Sequence, residues 1–239
     1  MASSSSMEEQ QDISPSLKKQ EYPPLPPHIT IEPITEYNLS AFRRIVSLLL
    51  PIRYPDKFFS EILRDELISS ISRVAVWHHT PSRAAGDTEG FKVLDVGGSK
   101  SKSKPLITEK ESIVIGGIRC RLEPIPTASP LETPNYQLYI QTLALLSPYR
   151  GQGIATALLD GVLASFMSSM PGQESEYSVT SIYAHVWEAN TEGLEWYKKR
   201  GFIVEGEVLE AYYRKLRPSG ARIVKREVGV ADWMRLGSD

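Results

Sequence analysis

The stretch Tyr139-Ile140-Gln141-Thr142-Leu143-Ala144-Leu145-Leu146-Ser147-Pro148-Tyr149-Arg150-Gly151-Gln152-Gly153-Ile154-Ala155-Thr156 decides how this chain is read. An apolar strand, Gln137 to Leu146, runs into a turn of small residues. A helix begins at once, from about Gly151 to Ser168, with Ile154, Leu158, Val162 and Phe166 forming one apolar stripe. The first N–H groups of a helix have no partner within it and carry the positive end of its dipole. Gly151 and Gly153 allow close approach, and Arg150 adds a full charge. Together they predict a cradle for a pyrophosphate.

Downstream, Ser181 to Trp187 reads as a strand. Thr191 to Arg200 reads as a helix with Leu194 and Tyr197 on one side, stopped by Gly201. Phe202 to Glu205 and Ala211 to Leu216 are expected to close as a final strand pair, with Val224 to Val230 unassigned. Upstream, Ser112 to Arg121, Arg73 to His78 and His28 to Ile34 read as strands. Asn38 is expected to cap a helix reaching Leu49, with Phe42, Ile45, Val46 and Leu49 on one face. Leu50 to Pro55 breaks that helix, because its prolines remove donors. Asp56 to about Ser70 resumes it, with Phe58, Ile62 and Leu63 inward. Strands and helices alternate around one sheet, which points to α+β or α/β and away from a sandwich.

The 239 residues suit one domain with extra tail and loop. The expected division is a disordered tail over 1–27, one domain over 28–218 with a flexible insertion at about 79–111, and an extension over 219–239. The tail holds Ser3 to Ser6 and the proline run Pro23-Pro24-Leu25-Pro26-Pro27, neither of which builds a core. The insertion includes Gly97-Gly98-Ser99-Lys100-Ser101-Lys102-Ser103-Lys104, read as a solvated loop. A net charge of −2 gives no global field for nucleic acid or an anionic membrane. One cysteine, Cys120, excludes an internal disulfide. No signal pattern or membrane-length apolar run is seen, so cytoplasm, with the nucleus as a second compartment, is expected. The four histidines are scattered, and His28, His78 and His79 receive no role; no metal site is expected.

Arg150-x-x-Gly153-x-Ala155 after an apolar strand resembles the acetyl-CoA signature of the GNAT superfamily. Further segments resemble one branch of it, the NatE-type N-alpha-acetyltransferases (the N-alpha-acetyltransferase 50 family). Leu50-Pro51-Ile52-Arg53-Tyr54-Pro55-Asp56-Lys57-Phe58 looks like their peptide-binding helix–loop–helix. Leu138 to Leu143 is similar to their central strand, and Ile182-Tyr183-Ala184-His185-Val186 with Asn190 to the next, parallel strand and its exit. Leu194 to Phe202 resembles the superfamily's closing helix and Gly-Phe. Ala211-Tyr212-Tyr213-Arg214-Lys215 resembles the substrate-covering hairpin. The likeness spans roughly Ile29 to Pro218, apart from the insertion. It marks the chain as a divergent member with an extra loop.

The resemblance implies the GNAT fold: a mixed, mostly antiparallel sheet splayed at its central parallel strands, with helices on both faces. It implies transfer of acetyl from acetyl-CoA, a cosubstrate, to protein α-amines, chiefly on Met-starting N-termini. Tyr139 and His185 would act through ordered water as the general base. Alternation puts Tyr139, Gln141 and Leu143 on one face of their strand, and Tyr183, His185 and Trp187 on one face of theirs. The cosubstrate would lie on Leu143, Ala144, Leu145, Arg150, Gly151, Gln152, Gly153, Ile154, Ala155 and Thr156, with Asn190 on the pantetheine arm and Tyr197 near the sulfur. Leu50, Pro51, Ile52, Tyr54 and Gln141 would form one wall of the peptide slot, and Tyr212 and Tyr213 the other. Three positions depart from the family pattern. Gln141 stands where the best-known members carry methionine, Arg53 replaces a small polar residue, and Leu50 replaces an aromatic one. The resemblance also implies association with the NatA complex and, through it, the ribosome. An enzyme for lysine or small amines, and a non-catalytic acetyl-CoA-binding subunit, remain alternatives.

Overall fold

The computed structural model describes residues 24–79, 112–126, 134–167 and 178–229, with Asp232 and Leu236. Most of the expected tail (1–23) and insertion (80–111) lie outside the described residues. Seven strands form one sheet: β1 (Ile29–Pro33), β2 (Ser72–Trp77), β3 (Ile113–Pro124), β4 (Asn135–Leu145), β5 (Ser178–Trp187), β6 (Ile203–Leu209) and β7 (Ala221–Glu227), in the order β1-β2-β3-β4-β5-β7-β6. Every neighbouring pair is antiparallel except β4 and β5. The helices are α1 (Glu36–Leu49), α2 (Asp56–Arg64), α3 (Glu66–Ser70), α4 (Ile154–Met167) and α5 (Thr191–Lys198).

The parallel pair creates the site. Its pairing runs from Asn135↔Ser178 to Ile140↔Ala184 and stops there. Yet β4 continues to Leu145 and β5 to Trp187. Beyond that point β4 keeps β3 as its partner, and β5 keeps β7. The two central strands therefore part, and a cleft opens between them.

Two cores cover the two faces. On one, Phe42 and Val46 of α1 and Phe58, Phe59 and Ile62 of α2 pack on Val74 and Val76 of β2. On the other, Ile154, Leu158 and Val162 of α4 and Tyr197 of α5 pack with Ala75, Leu138 and Ile182. Val74 and Val76 face one core and Ala75 the other, as strand alternation requires. Gly117 lets α1 approach β3, because a Cβ there would lie 2.7 Å from the Phe42 ring.

Several expectations need correction. Asn38 is not the cap of α1. The N-cap is Thr35, and Asn38 sits one turn inside, accepting the Thr35 N–H at 2.8 Å. The helix expected from Asp56 to Ser70 is two helices, because Asp65 takes an extended conformation and caps α3 by accepting from Ile68 N–H at 3.0 Å. Leu63 faces outward and Phe59 takes the inward place. Ala211 to Leu216 is a chain of turns rather than a strand. The true partner of β6 is β7, inserted between β5 and β6. The fold thus extends beyond 218: Ala221 and Val224 are buried, and Val228 and Leu236 pack on the core. It also starts before His28, since Leu25 packs there too. No helix among the described residues is long and apolar enough to cross a membrane.

Candidate active site

The strand register places the central aromatic cluster. Tyr139 pairs with Tyr183 across the parallel strands, and their rings stack at 4.7 Å between centroids. His185, one step further along that face of β5, brings Nδ1 to 3.0 Å from the Tyr139 hydroxyl. That hydroxyl also lies 3.2 Å from the Tyr212 hydroxyl, and the Tyr212 ring stacks on His185 at 4.7 Å. Tyr213, from the same turn, donates to the His185 backbone carbonyl at 3.1 Å and fixes it.

Burial holds the His185 imidazole below its ordinary pKa, with the nearby Glu123 carboxylate opposing that shift. The ring is therefore neutral near pH 7. Burial and the Tyr212 hydrogen bond push Tyr139 far up, so it stays a phenol. A neutral Tyr139 can accept from His185 Nδ1–H while donating to Tyr212, and this tautomer leaves His185 Nε2 an open acceptor. Cys120 is fully buried with its thiol pushed up by burial, which removes it as a nucleophile.

His185 opens onto a cleft of about 460 Å³ whose far wall is Leu50, Pro51, Ile52 and Tyr54. Tyr54 stacks on Phe58 at 4.1 Å and donates its hydroxyl to the Gln141 carbonyl at 3.0 Å. Desolvation pushes its phenol up to about 12. Gln141 and Tyr213 line the cleft; Tyr212 and Tyr139 stand behind His185 rather than on the lining. Tyr212 remains 37% exposed. Sequence reasoning missed Arg119. This buried arginine donates to the Gln141 side-chain carbonyl and to Glu61. Its signal was an ionised residue at an inward position of an apolar strand.

A second cleft of about 320 Å³ adjoins the first, sharing Leu50, Leu143, Arg150, Asn190 and Tyr197 with it. Leu143, Ala144, Leu145, Arg150, Gly151, Gly153, Ile154, Ala155, Asn190 and Tyr197 all line it. Gly151 and Gly153 adopt φ of +76° and +79°, which glycine reaches without strain. The Thr156 and Ala157 N–H groups both bond to the Gly153 carbonyl at 3.0 Å. The N–H groups just before them precede the first helical bond. Tyr54 and Arg150 reach the Gln141 and Leu145 carbonyls from outside the β3 pairing. By alternation the Leu143 backbone faces the same open edge.

Two predicted contacts are not on this lining. Gln152 turns outward to the Pro148 carbonyl at 3.2 Å, and the buried Thr156 hydroxyl accepts from Arg200 Nε at 2.9 Å. Two others carry internal duties. Asn190 caps α5 by accepting from Gly193 N–H at 3.0 Å, and Arg150 lies 3.3 Å from Glu192, so its charge is shared. Trp196 and Arg200, unassigned in the sequence reading, also line the cleft, with the Arg200 guanidinium 3.9 Å over the Trp196 ring. Amides before a helix, an open strand edge and an apolar trough fit acetyl-CoA, with a pyrophosphate at the helix start and amide groups along β4. No cluster of three or more metal-ligating side chains occurs among the described residues.

Residues 71–202 match the model of the acetyltransferase (GNAT) family, more than half of the chain. The chain is 24% identical to the Drosophila melanogaster "Probable N-acetyltransferase san" over 199 residues, 83% of this chain and 80% of that protein. It is 22% identical to Danio rerio "N-alpha-acetyltransferase 50" over 200 residues, 84% of this chain and 89% of that one. Among solved structures, Arabidopsis thaliana NAA60 in complex with a bisubstrate analogue shares the fold at a TM-score of 0.60, with 20% identity over 84% of this chain and 99% of that one. Arabidopsis thaliana Naa50 in complex with the bisubstrate analogue CoA-Ac-MVNAL does so at 0.55, with 23% identity over 84% and 99%.

Proposed function

The chain belongs to the GNAT acetyltransferase family, and from that premise we propose that it moves acetyl from acetyl-CoA to the α-amino group of proteins, chiefly at Met-starting N-termini. The observation that carries this reading is the His185–Tyr139 pair, 3.0 Å apart at the point where β4 and β5 separate. Its His185 opens onto a peptide-sized cleft that adjoins the amide cradle. A relative named N-alpha-acetyltransferase 50 and one named probable N-acetyltransferase, each matched over most of the chain, support it.

The chemistry follows from the residues. An α-amine has an ordinary pKa of about 7.7–8.0, so a fair share is neutral at physiological pH. Its nitrogen attacks the thioester carbonyl carbon while the carbon–sulfur bond breaks. The amine proton passes to His185 Nε2, directly or through one water, and the departing thiolate takes up a proton. Tyr139 holds the imidazole in the useful tautomer. The wall from Leu50 to Tyr54 and the Tyr213 side position the peptide. Tyr197, buried between the clefts and kept a phenol by desolvation, is placed to donate to the leaving sulfur.

A lysine-directed enzyme fits less well. A lysine amine has a pKa of about 10.4 and calls for a carboxylate at its site. Among the described residues, those lining the 460 Å³ cleft include no aspartate or glutamate. Association with the NatA complex, and through it with the ribosome, is part of the same proposal; it would bring nascent N-termini to the cleft. So is a cytoplasmic place of action, with the nucleus second. A peptide panel with Met-Leu, Met-Lys, Ser-Glu and Ser-Tyr starts, plus a blocked N-terminus bearing a free lysine, tests the reading. Fast turnover of the Met-starting peptides supports it. Turnover confined to the blocked lysine peptide sinks it.

A further inference from the structure

Gln141 lies on the cleft wall two residues beyond Tyr139, on the same face of β4. Its side-chain oxygen is already engaged. Arg119 of β3 donates to that oxygen through one nitrogen and to Glu61 Oε2 at 2.9 Å through another. Arg119 is 1% exposed, and its guanidinium lies 3.8 Å over the Phe58 ring. A guanidinium only donates, so the Gln141 amide must turn its oxygen toward Arg119. The amide nitrogen then faces away from Arg119. Among the described residues it has no hydrogen-bond partner, and it shares the cleft lining with the apolar Leu50 and Ile52 and with Tyr54, His185 and Tyr213.

A buried arginine is costly to keep, and its binding to the amide carbonyl polarises the two N–H groups opposite. Tyr54 and Tyr213 already donate their hydroxyls to backbone carbonyls, so the Gln141 amide offers a fixed, strengthened donor pair to the slot. A slot of that kind disfavours an aliphatic side chain, which leaves the donors unpaired, and favours one that brings an acceptor.

We infer that Gln141, oriented by Arg119, is a specificity-determining residue of the peptide slot, selecting N-termini whose first or second side chain carries a hydrogen-bond acceptor over aliphatic ones of the same size. Arg119 is a positioning residue in this arrangement. The inference rests on the peptide N-terminus reading above; selection at the second side chain refines the Met preference, and selection at the first replaces it.

The test compares kcat/KM for near-isosteric peptide pairs with acetyl-CoA: Met-Asn against Met-Leu, and Asn- against Leu-starting. The wild type is expected to favour the Asn member of one pair by roughly fivefold, the size of one net hydrogen bond. Gln141→Met should bring that ratio to one or below. The double variant Arg119→Met/Gln141→Met, which leaves no buried guanidinium without its partner, should do the same. Measuring both separates loss of selectivity from poor folding. Equal or Leu-favouring ratios in the wild type, or a ratio unchanged in both variants, would overturn the inference while leaving the acetyltransferase reading intact. No α-amine acetylation of any peptide, with a lysine peptide turned over, would instead overturn the reading on which it rests.

Discussion

The Tyr139 hydroxyl and His185 Nδ1 lie 3.0 Å apart across the two strands that separate to form the cleft. The contact couples the residue that cannot ionise to the one that can. Replacing His185 with Ala is expected to lower kcat about 100-fold, the lower end of a general base's contribution. Tyr139→Phe keeps the stacked ring and loses only the hydroxyl, so it should lower kcat less, by about tenfold. In both, the KM for acetyl-CoA should hold within about twofold. A large KM change would mean that the residues shape the cosubstrate site instead.

The pH profile gives a second prediction. Burial places the His185 pKa below its ordinary 6.5. As pH falls through that depressed value the imidazole gains a proton and kcat/KM declines, in addition to a limb near 7.7–8.0 from the peptide amine. His185→Ala should remove the lower limb and keep the upper one. The same shift acts on stability. The unfolded chain takes up this proton first, so the favourable contribution is complete above pH 6.5 and is lost as pH falls through the folded pKa. Wild type should therefore lose more melting temperature than His185→Ala between pH 7 and pH 5.

Gly153 has a φ of +79° and opens the first turn of α4. Gly153→Val forces a β-branched residue into a left-handed conformation at a cost of about 1–2 kcal/mol and crowds the amides of the cradle. The KM for acetyl-CoA should rise about tenfold or more, with kcat at saturation little changed. An unchanged KM would exclude this turn as the pyrophosphate site.

The position of β7 predicts the outcome of truncation. Ala221 to Glu227 supplies the partner for β5 from Trp187 to Ser181 and for β6 on its other side. A chain ending at Pro218 exposes a central strand edge next to His185. It should lose its cooperative thermal transition by circular dichroism; a sharp, wild-type-like melt would contradict the seven-stranded sheet.

Much of the fold was legible because its signals are local. The stripe Ile154, Leu158, Val162 and the Gly201 stop are fixed by helical period and by a positive φ. The errors arose where tertiary partners decide. Ala211 to Leu216 has the aromatic pair of a strand, yet Tyr212 and Tyr213 are held by His185 and Tyr139 rather than by a ladder. The charges of Arg222, Lys225 and Arg226 hid β7, although Ala221 and Val224 carry its buried face. At the site, Tyr139 and His185 share a face by strand alternation, and the register brings them together. The engagement of Thr156 with Arg200, and of Gln141 with Arg119, depends on residues 44 and 22 positions away, which no local pattern reveals.

The most direct measurement is acetyl transfer to a Met-starting peptide by the wild type, Tyr139→Phe and His185→Ala, with the acetylated atom located by mass spectrometry and acetyl-CoA binding measured in parallel. Base catalysis by this pair requires an acetyl group on the α-nitrogen, made rapidly by the wild type and slowly by both variants, with acetyl-CoA bound equally by all three. Equal rates in all three proteins, or no product while acetyl-CoA still binds, would contradict it.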